Sequence, residues 1–295
     1  MMSDQVVKFD NLRKYYDNHE VLKGITTEVR TGDVIGLVGL NGAGKTTLLE
    51  TPLGFCKPTQ GSSWVFGIDS ARLSSKETKA RIGFVPQTDE LLAGISGERY
   101  LGLIREFYDH WNSCLIQRLC NEWDVPLARK IHTLSVGQRQ KLSIISALGN
   151  EPDLLVLDEP VASLDPQARR AFLRELVAIA SSRSCTILFS THIISDLERV
   201  ASRVWLIKDG ALAIDEPLDS LKENTGRVSL PPGVELPGAF QNDDLIHQYQ
   251  VGNVQTLVFS HWNAERHQAL AQAVGFELER EWWLSLEDIF LEVHA

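Results

Sequence analysis

Residues 39–47 read GLNGAGKTT and carry the residue types that bind a chain of phosphates. They fit the pattern G-x-x-x-x-G-K-[ST], with Gly39, Gly44, Lys45 and Thr46 at its fixed positions. Lys45 supplies a mobile cation for the β- and γ-phosphates, and the Thr46 hydroxyl is suited to bind Mg²⁺. The segment therefore predicts a nucleotide-binding loop.

A strand and the start of a helix flank this loop. Residues 34–38 (VIGLV) form an apolar run of strand length, and residues 47–50 are compatible with a helix. A strand, a glycine-rich turn and a helix N-terminus direct backbone N–H groups and a positive helix end to one point. We expect Gly39, Gly42 and Gly44 to take positive φ, which lets the backbone approach a phosphate closely.

Two adjacent carboxylates follow a second apolar run. Residues 154–157 (LLVL) have the pattern of a buried strand, and Asp158 and Glu159 come directly after it. Open α/β sheets bind their ligands at the carboxyl ends of the strands. Asp158 is thus placed to hold Mg²⁺ through water, and Glu159 to orient an attacking water or to accept its proton.

Three further side chains have both a structural and a functional interpretation. His192 follows an apolar run, where it could donate to a phosphate or could simply be a core histidine at a helix start. Tyr15 and Tyr16 follow the first expected strand, in a loop. They could pack against that loop or stack on an adenine base.

Residues 134–138 (LSVGQ) open an expected helix. Ser135 and Gln138 have the spacing of a capping box, which is a sufficient structural explanation for both. The same segment also presents a helix N-terminus, a hydroxyl and a glycine to an anion. Capping does not explain Gly137, since glycine weakens a helix. Asp165 precedes a proline and is expected to cap the next helix.

The remaining patterns predict alternating strands and helices. Pro52 should kink or stop the helix after the loop, because proline lacks an N–H and clashes with the preceding turn. Asp209 and Gly210 should form the turn of a closing hairpin. We expect strands at 6–12, 20–30, 34–38, 63–66, 82–85, 154–157, 186–189, 203–207 and 211–214, and mostly helix at 96–150.

Charge is unevenly distributed along the chain. The formal net charge is −10, which disfavours a nucleic-acid partner because such binders carry basic surfaces. Residues 227–295 hold 3 Lys/Arg and 10 Asp/Glu, a net charge of −7. We therefore expect a nucleotide-binding domain at 1–226, with a helical subdomain at about 88–150, and a small acidic domain at 227–295. The linker should lie at 225–233, where turn formers cluster. A strand at 254–260 and a helix at 264–273 would belong to the acidic domain.

Together these motifs resemble the nucleotide-binding subunit of ATP-binding cassette (ABC) transporters, over about residues 5–225. The loop at 39–47 is similar to Walker A, LLVLDEP at 154–160 to Walker B, and LSVGQ at 134–138 to the signature motif. SLEDIFLE at 285–292 resembles the ending of the bacterial exporter-type branch. The resemblance implies an α/β fold: a P-loop NTPase core with an antiparallel β subdomain and a helical subdomain, plus a small C-terminal α+β domain.

The resemblance also implies ATPase activity and assigns residues to it. Gln87 corresponds to the Q-loop glutamine, SLDP at 163–166 to the D-loop, and His192 to the switch histidine. The residues implied to contact ATP are Tyr16, Gly39, Asn41, Gly42, Ala43, Gly44, Lys45, Thr46, Thr47, Ser135, Gly137, Gln138 and Asp165. Those implied to hold Mg²⁺ are Thr46, Gln87 and Asp158, and those implied to act in hydrolysis are Glu159, His192 and Gln87.

Partners and location follow from the same resemblance. Two copies of this chain, or this chain and a related subunit, would enclose ATP between them, with Ser135, Gly137 and Gln138 coming from the opposite chain. A separately encoded integral-membrane permease would hold the subunit at the cytoplasmic face of the membrane. One alternative is a non-transport ABC ATPase acting on nucleic acid or the ribosome, although the long coiled coils, zinc sites and tandem cassettes typical of that class are missing from the sequence. A P-loop kinase or GTPase would not need Gln87, LSVGQ and His192.

Overall fold

The computed structural model describes residues 4–88, 90–183, 185–242, 244–282 and 284–295. Contacts between residues divide the chain into two units, Met1–Leu212 and Ala213–Ala295. The boundary that we predict near residue 226 falls inside the second unit and stays a prediction. Each unit is described by itself below.

The strands are β1 (Gln5–Tyr16), β2 (His19–Arg30), β3 (Val34–Val38), β4 (Gln60–Val65), β5 (Ile68–Asp69), β6 (Ile82–Val85), β7 (Leu154–Leu157), β8 (Thr186–Ser190), β9 (Arg203–Lys208), β10 (Ala211–Pro217), β11 (Gly226–Leu230), β12 (Leu245–Val251), β13 (Val254–Phe259) and β14 (Glu279–Trp282). The helices are α1 (Lys45–Glu50), α2 (Lys76–Lys79), α3 (Gly97–Arg105), α4 (Ser113–Glu122), α5 (Val136–Leu148), α6 (Pro166–Arg183), α7 (Ile194–Val200), α8 (Leu218–Asn224), α9 (Ala264–Val274) and α10 (Leu286–His294). Short 3₁₀ turns occupy Ser70–Arg72, Ile131–Thr133 and Gly238–Phe240.

A mostly parallel sheet positions the candidate site. Its strand order is β10-β9-β3-β8-β7-β6, with β3 parallel to β8 and β9, and β7 parallel to β6 and β8. Every residue of β3, β7 and β8 is buried, which explains why these strands are continuous apolar runs rather than alternating ones. Because the strands are parallel, the segments that follow β3, β7 and β8 meet at one edge of the sheet.

An antiparallel sheet, in the order β2-β1-β4-β5, carries the tyrosine pair. Strand β1 is longer than predicted, and its pairing with β2 continues until Tyr16 faces His19. The expectation that Tyr15 and Tyr16 lie in a loop is therefore wrong. The reason is the tight turn that follows, in which Asp17 takes a φ of 52° and returns the chain directly into β2.

Helix α1 stops where the proline was expected to stop it. It ends at Glu50, and the last helical N–H is that of Thr51, which donates to the carbonyl of Thr47 at 3.2 Å. Pro52 would be the next donor but has no N–H. The predicted helical region at 96–150 is confirmed as α3, α4 and α5.

The second unit contains an antiparallel sheet in the order β12-β13-β11-β14. The predicted strand and helix are present as β13 and α9. The predicted linker is wrong for Gly226–Leu230, because this segment is β11 and pairs with both β13 and β14. Its alternate residues, Gly226, Val228 and Leu230, are buried, and a Cβ at Gly226 would lie 2.5 Å from the Trp262 ring.

A histidine of the second unit bridges two acidic side chains. His261 Nε2 lies 2.6 Å from Glu216 Oε1, and its Nδ1 lies 3.1 Å from Asp244 Oδ1. Asp244 also accepts from Arg266 at 2.6 Å. Partial burial acts to lower the pKa of His261, but the hydrogen bonds and charges of Asp244 and Glu216 outweigh it, so that the pKa is raised.

Candidate functional site

The loop between β3 and α1 has the backbone conformation that phosphate binding needs. Gly42 and Gly44 take φ of 83° and 106°. No side chain caps the first turn of α1, which leaves its N–H groups available to an anion. A Cβ at Gly42 would meet nothing within 4 Å, so this glycine faces open space.

Gly39 has a different role from the one predicted. It does not take positive φ, but a Cβ at this position would lie 2.6 Å from both the carbonyl oxygen and the Cγ2 atom of Ile207. Real Cβ atoms do not approach backbone that closely. Gly39 is therefore required because β9 packs against the loop, and the expectation of a left-handed conformation there is wrong.

Lys45 is buried at the centre of the loop, with 8% of its surface exposed. Its ammonium donates to the carbonyl oxygen of Gly39 at 2.8 Å and to that of Leu40 at 3.3 Å. It also lies 3.9 Å from Glu159 Oε1. A buried cation held mainly by neutral carbonyls can turn to an incoming phosphate oxygen with little rearrangement.

Asp158 sits in a fixed set of hydrogen bonds at the end of β7. The Thr46 hydroxyl donates to Asp158 Oδ2 at 2.6 Å, and the Ser190 hydroxyl donates to Oδ1 at 2.5 Å. The predicted pair of Thr46 and Asp158 is thus brought together across 112 residues of sequence. Ser190 was missed as a functional residue, although its position at the end of β8, the strand beside β7, was a usable signal.

Glu159 is held in a strained backbone conformation beside His192. Its φ of 48° is uncommon for a residue with a side chain. The Ser190 hydroxyl accepts from the Glu159 N–H at 2.8 Å, and the His192 Nδ1–H donates to Glu159 Oε2 at 2.8 Å. The Glu159 side chain is 6% exposed and that of His192 is 56% exposed, so His192 is not a core histidine.

Tyr16 ends β1 with nearly half of its surface exposed. Its hydroxyl lies 3.5 Å from the Cys56 sulfur. The pKa of the Tyr16 phenol is raised, chiefly by this contact with Cys56 and secondly by partial burial. An exposed ring with an anchored hydroxyl has the geometry of a stacking platform.

A cavity of about 340 Å³ connects these elements, which is within the usual size range of small-molecule sites. The residues that line it are Tyr16, Val21, Asn41, Gly42, Gly44, Lys45, Thr46, Thr47, Gln87, Asp158 and Glu159. Among the other predicted site residues, Gly39 and Ala43 are buried within the loop and do not line the cavity, and His192 contacts the lining residue Glu159.

The segment at the start of α5 does not line this cavity. Ser135 is exposed and forms the predicted capping box: its hydroxyl accepts from the Gln138 N–H at 3.2 Å, and Gln138 Oε1 accepts from the Ser135 N–H at 3.0 Å. A Cβ at Gly137 would lie 2.9 Å from the Ser163 carbonyl oxygen. The close approach of residue 163 therefore explains the glycine that capping left unexplained.

Asp165 has the capping role that we predicted. Its Oδ1 accepts from the N–H groups of Gln167 and Ala168, both at 2.9 Å. The backbone hydrogen bond from Ala168 is the largest cause of the lowered pKa of Asp165. Asp165 does not line the cavity.

Comparison with known proteins identifies the family. The family described as ABC transporter matches residues 22–162. Nod factor export ATP-binding protein I of Burkholderia pseudomallei is 34% identical over 214 residues, which cover 71% of this chain and 70% of that protein. This chain belongs to the ABC transporter family. An uncharacterized ABC transporter ATP-binding protein of Bacillus subtilis, YcbN, is 26% identical over 299 residues, covering 98% of this chain and 96% of that one.

A solved structure supports the same assignment. It is an ATP-binding subunit of an ABC transporter that superposes with a TM-score of 0.67 at 27% identity, covering 74% of this chain and 92% of its own. The predicted family and fold class are confirmed. The chain is an ATP-binding and ATP-hydrolysing subunit with a transporter-powering role. Over the ranges that the structure covers, no helix combines the length and the apolar character needed to cross a bilayer.

Proposed function

We propose that this subunit hydrolyses ATP in a site completed by a second copy or a related subunit, and that closure of the pair drives a separate membrane permease. The observation that carries the proposal is the separation within one chain of two anion-binding elements. Lys45, Asp158 and Glu159 line the cavity, whereas the start of α5, with Ser135 exposed and Gly137 half-buried, does not. A partner chain would bring this helix N-terminus to the phosphates.

The donor set at the end of the loop fits Mg²⁺. Thr46 and Asp158 present a hydroxyl and a carboxylate oxygen 2.6 Å apart, and Gln87 adds an amide oxygen to the same cavity. Hard oxygen donors of this kind are the ligands that Mg²⁺ prefers. When bound, Mg²⁺ would neutralise charge on the β- and γ-phosphates.

Glu159 is the residue that we assign to proton transfer. Its carboxylate lies within 3.9 Å of the Lys45 ammonium, at the end of the cavity where the γ-phosphate would lie. An ionised Oε1 there can accept the proton of a water that attacks phosphorus. His192 donates Nδ1–H to Oε2, which fixes the carboxylate and orients the imidazole toward the same place.

The names of the relatives support a membrane partner and a membrane location for this chain. Nod factor export ATP-binding protein I and the bacitracin transport ATP-binding protein of Bacillus licheniformis, which is 31% identical, are named for export or transport. An ATP-binding subunit of a transporter acts on a membrane-embedded partner. We therefore place this chain at the cytoplasmic face of a membrane, bound to an integral-membrane permease, and copurification of such a partner tests this.

The composite site is tested with Ser135→Arg. The arginine should block closure while leaving the cavity of its own chain intact, so ATP binding should persist and hydrolysis should fall severely. Ser285→Arg is a matched control, since Ser285 forms the same kind of capping box at α10 in the second unit. Wild-type turnover by the Ser135 variant would refute the composite site. An equal loss in both variants would indicate general damage instead.

A further inference from the structure

The ammonium of Lys14 lies over the aromatic ring of Tyr16. Lys14 precedes Tyr16 by two residues in β1, so both side chains lie on the same face of the strand. The Lys14 ammonium lies 4.8 Å from the centroid of the Tyr16 ring, within the range of a cation–π contact. Lys14 does not line the nucleotide cavity, whereas Tyr16 does. The ammonium therefore contacts the ring without being part of the cavity lining.

Two consecutive residues hold this arrangement in place. The carbonyl oxygen of Lys57 accepts from the Lys14 ammonium at 2.9 Å. The sulfur of Cys56 lies 3.5 Å from the Tyr16 hydroxyl. The segment after α1 thus fixes both the cation and the far end of the ring that the cation covers.

We propose that Lys14 is a positioning residue for the nucleobase, which it affects through the Tyr16 ring. The inference rests on the proposed stacking of adenine on Tyr16. Fixing the ring before ATP arrives lowers the entropy lost on binding. A cation on one face also draws the negative π-charge away from the other face, which favours stacking by an electron-rich purine.

Lys14→Met removes the charge and keeps most of the apolar stem. We expect the Kd and KM for ATP to rise about two- to fivefold with kcat unchanged, which corresponds to a cation–π contact of about 0.5–1 kcal/mol at about 1.4 kcal/mol per tenfold. Lys14→Arg keeps a cation on the ring and should restore the wild-type values. Inorganic tripolyphosphate has no base, so its affinity should not change in Lys14→Met.

Lys8→Met is the matched control. Lys8 lies in the same strand, with its ammonium 5.2 Å from the Trp64 ring, and neither residue lines the cavity. It should bind ATP as the wild type does. An equal loss in the Lys8 variant would show that β1 has merely been destabilised and would overturn the inference.

Tyr16→Ala separates the inference from the function on which it rests. If Tyr16→Ala binds ATP as tightly as the wild type, the proposed adenine stack is wrong. If Tyr16→Ala weakens binding while Lys14→Met leaves it unchanged or tightens it, the stack stands and the role of Lys14 is refuted. A parallel loss of tripolyphosphate affinity in Lys14→Met would also refute it, because the lysine would then act on phosphate charge.

Discussion

Ser190 should be indispensable to the geometry of both acidic residues, although it touches no nucleotide in our proposal. It is fully buried, and its single hydroxyl donates to Asp158 and accepts from the backbone of Glu159. Ser190→Ala removes a hydrogen bond to a charged group, which contributes about 1.5–3 kcal/mol, and leaves a buried N–H without its acceptor, which costs about 1–3 kcal/mol. We therefore expect the variant to lose about 3 kcal/mol of stability.

Ser190→Ala should also lower the rate of ATP hydrolysis, because Glu159 loses the hydrogen bond that holds its backbone. Freed of Ser190, the strained backbone at Glu159 can relax and move its carboxylate away from the reacting water. Changes to groups that orient functional ligands typically cost about 10–100-fold, and we expect kcat to fall by that factor. The Kd for ATP should change little, because Lys45 and the loop are untouched.

The assay is steady-state phosphate release together with denaturant unfolding and ATP titration. Thr186→Val is the matched control, because Thr186 is a fully buried residue at the opposite end of β8, and its hydroxyl makes hydrogen bonds with Gly32 and Arg30. It should lose stability but keep its kcat. A Ser190→Ala variant with wild-type kcat, or a Thr186→Val variant with an equally reduced kcat, would refute the reasoning.

Three other predictions concern the loop, the domain boundary and the second unit. Lys45→Ala should abolish tight ATP binding, because it removes the charged side chain buried in the loop; near-normal affinity in a titration would refute the loop assignment. A chain that ends at Thr225 should stay folded and bind ATP, since every proposed nucleotide contact precedes it; loss of ATP binding would mean that our boundary is misplaced. The raised pKa of His261 should stabilise the second unit below the unfolded pKa of about 6.5, and this stabilisation should be lost as the pH rises through the folded pKa. Denaturant unfolding of wild type and His261→Gln across that interval should show a pH dependence that the variant lacks, and identical pH profiles would contradict it.

Features encoded within a few residues could be predicted from the sequence. The strand, loop and helix around Lys45 follow from consecutive residues, as does the stop at Pro52. The acidic pair follows from the apolar run before it. In each case the physical cause is local: an apolar period, a glycine, or a missing N–H.

Features that depend on distant residues could not be predicted in the same way. The need for glycine at Gly39 comes from Ile207, and that at Gly137 from the carbonyl of Ser163. Ser190 acts on residues that lie 31 and 32 positions away. These contacts exist only after the sheet has formed, so no local sequence pattern predicts them.

The second unit shows a related limit. Strand β12 is half-exposed along much of its length and therefore lacks the apolar alternation that would have predicted it. The turn formers around Gly233 led to a predicted linker at 225–233. Most of that range is β11, a strand that pairs with a neighbouring strand on each side. The strand β11 depends on pairing with strands that come later in the sequence, and a local pattern does not contain that information.

Glu159→Gln, assayed for hydrolysis and for association, tests the central claim most directly. The amide keeps the size of the glutamate but cannot accept a proton, so hydrolysis should fall by about 10²–10⁴ while ATP binding persists. With closure intact and hydrolysis stalled, size-exclusion chromatography should show a dimer with ATP and Mg²⁺ but not with ADP or without nucleotide. A Glu159→Gln variant that hydrolyses ATP at the wild-type rate would contradict the account.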